Sequence, residues 1–152
     1  MGSYDYPRYD YVRPEALNAN APERHPVVIV GAGPVGLSAA ADFALRGVET
    51  VVLDDDDTVS LGSRAICWSK RTLEIFDRLG AGERMLDTGV LWKLGRIFHG
   101  EDELYNFDML PEPGHRMPAF VNLQQYYTEE YLVDRVNELG RTEIRWKNKV
   151  IG

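Results

Sequence analysis

The chain has 152 residues, 44% of them apolar, 27% charged and 11% aromatic, with 17 basic against 24 acidic side chains and a formal charge of -7. That is long enough for one core without covalent staples, and the single cysteine, Cys67, excludes an internal disulfide scaffold. An acidic balance with no local basic patch argues against nucleic-acid and anionic-membrane partners, and the lack of a long apolar block makes a cytoplasmic location the expectation.

Residues 1–25 hold Tyr4, Tyr6, Tyr9 and Tyr11 among prolines and charges, with no apolar periodicity. They read as an arm, either a disordered leader or a segment docking on a missing domain or a second subunit. The remainder, 26–152, reads as part of one α/β domain. Val27-Val28-Ile29-Val30 is an unbroken β-branched run, the mark of a strand buried on both faces in a parallel sheet. It runs into Gly31-Ala32-Gly33-Pro34-Val35-Gly36. An alanine-rich helix is predicted from Pro34 to Arg46, with Leu37, Ala41, Ala44 and Leu45 on its buried face and Gly47 as its stop. A second Val-rich strand from Glu49 to Leu53 completes a βαβ unit with a right-handed crossover.

After a loop from Asp54 to Ser63, a helix is expected over Ser69–Leu79, burying Leu73, Phe76 and Leu79. Strands over 90–98 and 103–108 would form a hairpin turning at His99-Gly100-Glu101-Asp102. A Pro-rich loop leads to a short strand, Ala119–Leu123, then an amphipathic helix, Gln125–Leu139, and a strand, Thr142–Trp146. A further strand would begin at Val150-Ile151-Gly152. The fold class is therefore α/β, a Rossmann-like βαβ domain with a parallel sheet and an inserted antiparallel hairpin, incomplete at its C-terminal side.

The glycine pattern gains its meaning from standing between a strand and a helix. Gly31 allows a tight turn, Gly33 lets backbone approach a pyrophosphate, and Gly36 allows close packing of helix on strand, with Pro34 and Val35 opening the helix. The free amides and the positive dipole end of that helix face the phosphates. Asp54 closes the second strand where a carboxylate accepts a ribose hydroxyl and repels a 2′-phosphate, so FAD or NAD is favoured over NADP. Asp55 stands beside it as a further candidate. Asp54-Asp55-Asp56-Asp57 is not read as a metal site, because four consecutive carboxylates diverge and no His or Cys is near in sequence. His25, His99 and His115 are scattered, and Cys67 beside Trp68 is expected to be packed.

The strand and glycine run Val28–Leu37, Asp54, Ser63-Arg64-Ala65-Ile66 and Gln125-Tyr126-Tyr127-Thr128-Glu129-Glu130-Tyr131-Leu132 together resemble the flavoprotein aromatic hydroxylases. These are FAD-dependent monooxygenases of the p-hydroxybenzoate hydroxylase type, and the likeness is greatest to their phenol and 3-hydroxyphenylpropionate hydroxylase branch. The resemblance implies that Arg64 lies against the FAD phosphates and flavin edge, and that Gln125, or Gln124 one register away, hydrogen-bonds the cofactor. It also implies reduction by NADH or NADPH, and hydroxylation of a phenolic or aromatic ring with O2 through a flavin C4a-hydroperoxide. A homo-oligomer is compatible with it. The family's later Asp-Gly and Gly-Asp motifs have no match here, so the chain resembles the N-terminal portion of such an enzyme and is expected to be inactive by itself. An unpaired sheet edge, exposed apolar surface and weak flavin retention should follow. An NAD-binding dehydrogenase domain and a non-catalytic nucleotide-binding fragment are the alternatives.

Overall fold

The structure, a computed structural model, describes residues 4–151. Met1 to Ser3, counted above in the arm, and Gly152, counted in the last strand, lie outside the described residues. The chain forms two compact units, one built from the residues up to Ser63 together with those from Gln125 onward, the other from Arg64–Gln124.

The first unit is the βαβ unit extended by a third strand. Strands β1 (Val27–Val30), β2 (Thr50–Leu53) and β8 (Thr142–Arg145) form a parallel sheet in the order β1-β2-β8. Val27 faces Thr50 in register, and Thr50 faces Thr142. β2 is the central strand and is buried at Thr50, Val51 and Val52. β1 departs from the sequence expectation: it is an edge strand among the described residues, with Val28 50% and Val30 66% exposed. Its β-branched run follows strand propensity, but burial on both faces depends on neighbours that the run itself does not specify.

Helices α1 (Pro34–Leu45) and α4 (Gln125–Leu139) pack against each other. Leu37, Ala40, Ala41 and Ala44 are buried on α1, and Leu132, Val133 and Val136 on α4. Ala40 takes the inward place expected of Leu45, which is 44% exposed near the helix end. The arm carries a short 3-10 helix at Glu15–Asn18. Earlier in the arm, Tyr4 lies within ring contact of Tyr126 and Tyr127, and Tyr9 stacks on Trp146 with ring centroids 4.3 Å apart. Residues 150 and 151 are outside any strand.

The second unit contains two sheets. Strands β3 (Cys67–Ser69), β4 (Val90–Trp92) and β7 (Phe120–Asn122) form an antiparallel sheet with β7 in the middle, while β5 (Leu94–His99) and β6 (Asp102–Asp108) form the hairpin. The strand expected over 90–98 is thus divided between two sheets, and Lys93 separates the pieces. The hairpin turns where expected, with Gly100 at φ 61°. Helix α2 (Lys70–Leu79) buries Leu73, Phe76 and Leu79 and is stopped by Gly80 in the left-handed conformation, φ 88°. This turn is a strong local signal because a Cβ is disfavoured there. Helix α3 (Gly82–Thr88) and strand β3 were not expected; seven and three residues are too short to display a period. Cys67 is exposed rather than packed, since its short strand turns the thiol outward. No helix among the described residues is long and apolar enough to cross a membrane.

Candidate functional site

The turn between β1 and α1 is shaped by its glycines in two different ways. Gly31 has φ 101°, a conformation that strains any residue with a Cβ, and its amide donates to the Leu53 carbonyl at 2.8 Å, tying the turn to the end of β2. A Cβ on Gly36 would lie 2.0 Å from the Gly31 carbonyl oxygen, so Gly36 is fixed by the packing of the helix on the turn. Gly33 is different. A Cβ there would meet only Glu129 Oε1, at 4.0 Å, so the fold leaves open space beside it.

Gly33 is the N-cap of α1, Pro34 opens the helix, and no side chain caps its first amides. Pro34 lacks an N–H that would be unpaired at this position in any case, and its fixed φ suits the first helical residue. There is no acidic residue in the first turn of the helix itself. Val35 is 85% exposed, which leaves the helix mouth accessible. These features suit an anionic, phosphate-bearing group, and the open space beside Gly33 has room for it.

Asp54 stands at the end of β2 and turns back towards this turn. Its Oδ2 accepts a hydrogen bond from the Ala32 amide at 2.5 Å, and its Oδ1 accepts from the Asp56 amide at 2.9 Å. Each carboxylate oxygen has a second lone pair for a further donor. Gly31, Asp54, Asp55 and Lys149 border a pocket of about 130 Å³, with Lys149 Nζ 3.3 Å from Asp55 Oδ2. A wider groove of about 520 Å³ lies at the opposite ends of the strands, beside Thr50 and Thr142, and contains none of the candidate residues. Asp54, Asp55 and Asp56 have carboxylate oxygens within 4.8 Å of one another, but Asp55 and Asp56 are exposed and Asp55 has its lysine partner. Asp57 is ion-paired too: the hydrogen bond from Lys147, then that from Arg8, hold its carboxyl below the usual carboxylate range.

Gln125 begins α4, where its backbone amide donates to Ser63 Oγ at 3.0 Å. Its side-chain Nε2 donates to Glu129 Oε1 at 2.7 Å and to Ser60 Oγ at 3.2 Å. Glu129, one turn on, is 1% exposed and accepts from the Ser60 amide as well. In the sequence Glu129 stands inside the run Gln125–Leu132, with nothing in that run alone to single it out. The signal available was its spacing: residues four apart share a helix face, so Gln125 and Glu129 were certain to be neighbours if 125–139 was helical.

Gly31, Gly33, Pro34, Val35, Gly36, Asp54, Asp55 and Gln125 therefore all lie in the first unit, and Glu129 joins Gln125 to the surroundings of Gly33. Arg64 opens the second unit and is exposed, and Gln124 closes it half-buried.

Residues 24–152 match the family model described as FAD binding domain. The chain is 34% identical over 134 residues to a flavin-dependent monooxygenase of Mycobacteroides abscessus, covering 83% of this chain and 28% of that protein. It is 26% identical over 126 residues to a 3-(3-hydroxy-phenyl)propionate/3-hydroxycinnamic acid hydroxylase of Mycobacterium avium, covering 83% of this chain and 22% of that one. Among solved structures, p-nitrophenol 4-monooxygenase from Pseudomonas putida superposes with a TM-score of 0.73 at 29% identity, over 81% of this chain and 32% of that chain. The chain thus spans less than a third of the length of each of the three. With the family model covering everything from Arg24 onward, the chain belongs to the family of FAD-binding domains found in flavin-dependent monooxygenases.

Proposed function

We propose that the chain is the FAD-binding portion of a monooxygenase that hydroxylates a phenolic or other aromatic substrate, with O2 as oxidant and NADH or NADPH as reductant. The observation that carries this reading is the contrast within one turn: Gly36 is fixed by contact with the Gly31 carbonyl, whereas Gly33 borders open space at an uncapped helix end. Names of relatives that include a nitrophenol and a hydroxyphenylpropionate enzyme support a phenolic ring as substrate.

In this reading Gly31, Gly33, Pro34, Val35 and Gly36 form the pyrophosphate seat, with the first amides of α1 as donors. Asp54 receives the ribose hydroxyls of the adenosine half, and its charge discriminates against a 2′-phosphate; Asp55 borders the same pocket. Gln125 is placed by Glu129 for contact with the cofactor, and Arg64 offers a guanidinium fork to phosphate or flavin oxygens. Bound FAD supplies the electron-transfer and oxygen chemistry. The residues of this chain contribute binding, orientation and exclusion of water. A cytoplasmic enzyme without nucleic-acid or membrane partners fits this account, and a homo-oligomer is compatible with it.

Equilibrium titration of the chain with FAD, NAD and NADP tests the proposal. Saturable FAD binding tighter than that of either nicotinamide nucleotide supports it. A preference for NAD would return the chain to the dehydrogenase alternative, and binding of none of the three would make it an inert nucleotide-fold fragment.

A further inference from the structure

The eight residues Tyr4–Tyr11 lie outside the segment that matches the family model, yet they make specific contacts with one short loop. That loop, 57–63, leads from β2 towards the second unit. On one side it is held by α4: Ser60 donates to Glu129 through both its amide, at 2.6 Å, and its hydroxyl, at 2.8 Å, and Ser63 Oγ accepts the Gln125 amide. On its other side it is held by the arm. The Tyr9 amide donates to the Asp57 carbonyl at 2.8 Å, Arg8 Nη1 pairs with Asp57 Oδ1 at 2.5 Å, and the Gly62 amide donates to Tyr6 Oη at 3.0 Å.

The arm is itself anchored at both ends of this contact. Tyr4 donates its hydroxyl to Glu130 Oε2 at 2.7 Å and packs against Tyr126 at 4.2 Å between ring centroids. Tyr9 stacks on Trp146, which is 7% exposed and follows β8. Between these anchors the chain has no helix or strand of its own. A segment fixed at two points and bonded to a loop between them restricts that loop more than any one of its bonds would.

We propose that residues 4–11 are a strap that positions the 57–63 loop, and through Ser60, Glu129 and Gln125 sets the affinity of the cofactor site from outside it. Tyr6 and Arg8 are positioning residues in this scheme; neither is in the cofactor seat. The proposal rests on the FAD-binding reading for its second half only. Because coupling between two sites is reciprocal, bound FAD should also hold the strap in place.

The test is a Tyr6→Phe/Arg8→Gln variant of the full chain, followed by hydrogen exchange at single amides and by FAD titration. The informative amide is Ser60, which bonds to Glu129 and not to the arm. The expected result is exchange at Ser60 roughly tenfold faster, with Val51 and Val52 in β2 unchanged, and FAD binding weakened on the order of five- to twentyfold. A bond of merely local consequence would speed Gly62 alone and leave Ser60 and FAD affinity as they were, and that result overturns the proposal. If the double variant also speeds Val51 and Val52, Tyr6→Phe alone, which removes one hydroxyl and keeps the ring, makes the same comparison. Should the parent chain bind no FAD, the cofactor reading fails separately, and Ser60 exchange still decides the strap: acceleration upholds it and an unchanged rate overturns it.

Discussion

Glu129 accepts two hydrogen bonds from a single residue, Ser60, through the backbone amide at 2.6 Å and the hydroxyl at 2.8 Å. Glu129 is 1% exposed, and it accepts from neutral donors, the Ser60 amide and hydroxyl and the Gln125 side chain. A buried carboxyl group is tolerable when several donors converge on it, and here they come from a loop and from the first turn of α4. The same carboxylate lies next to Gly33, so one side chain links the loop, the helix and the glycine turn.

Glu129→Ala should therefore destabilise the chain by about 2–5 kcal/mol, since it removes the acceptor of the Ser60 amide and one of the acceptors of the Gln125 side chain and opens a cavity. Glu129→Gln, which keeps the volume and one acceptor, should lose less. Urea unfolding of the two variants measures the difference; equal stability of Glu129→Ala and the parent would contradict the role given to this carboxylate.

Gly36→Ala should cost about 1–3 kcal/mol, because the new methyl would fall 2.0 Å from the Gly31 carbonyl oxygen and backbone must move to admit it. Thermal unfolding reports it. A melting temperature equal to that of the parent would mean that helix and turn are less tightly opposed than the structure has them.

Asp54→Ala removes the acceptor for the Ala32 and Asp56 amides as well as the proposed ribose contact. FAD binding should weaken by about 1–3 kcal/mol, and discrimination against NADP relative to NAD should relax. Calorimetric titration with the three nucleotides checks both effects, and unchanged discrimination would remove the argument from charge repulsion.

The contacts of the arm should depend on pH at both extremes. Burial, followed by the nearby carboxylates of Asp134 and Glu130, pushes the Tyr9 hydroxyl up to about 12. Its contribution to docking is therefore complete below the free tyrosine value of about 10 and is lost as pH rises through the folded value. Asp57 behaves oppositely: its carboxyl is held low by Lys147 and Arg8, so its contribution is present above the free value of about 4 and is lost as pH falls through the lowered one. Ultraviolet titration of the parent against Tyr9→Phe should show one tyrosine ionising near 12 rather than near 10.

The βαβ unit was legible because several local signals coincide there. The Val-rich runs, the stop at Gly47 and the glycine turn are each encoded within a few residues, and strand, helix and strand appear within a residue of their expected limits. The same is true of α2, whose apolar spacing and Gly80 stop agree. What could not be read was anything decided across the sequence. The division of residues 90–99 between two sheets is set by pairing of β4 with β7, and the exposure of Val28 and Val30 by what lies beside an edge strand. In the site, Gly31, Gly33 and Asp54 follow from the motif, whereas the Glu129–Ser60 link spans the separation between a loop and α4 and becomes visible only when they meet.

The most direct test of the central claim is flavin fluorescence anisotropy on titration of the parent chain and of Gly33→Ala with FAD, alongside their circular dichroism. A methyl at Gly33 meets open space in the protein itself but would intrude on a pyrophosphate seated at the helix end. The expected result is saturable binding by the parent, at least about tenfold weaker binding by Gly33→Ala, and identical spectra for the two proteins. Equal FAD affinity in both, or no saturable binding by the parent, would contradict the assignment of this turn as the cofactor site.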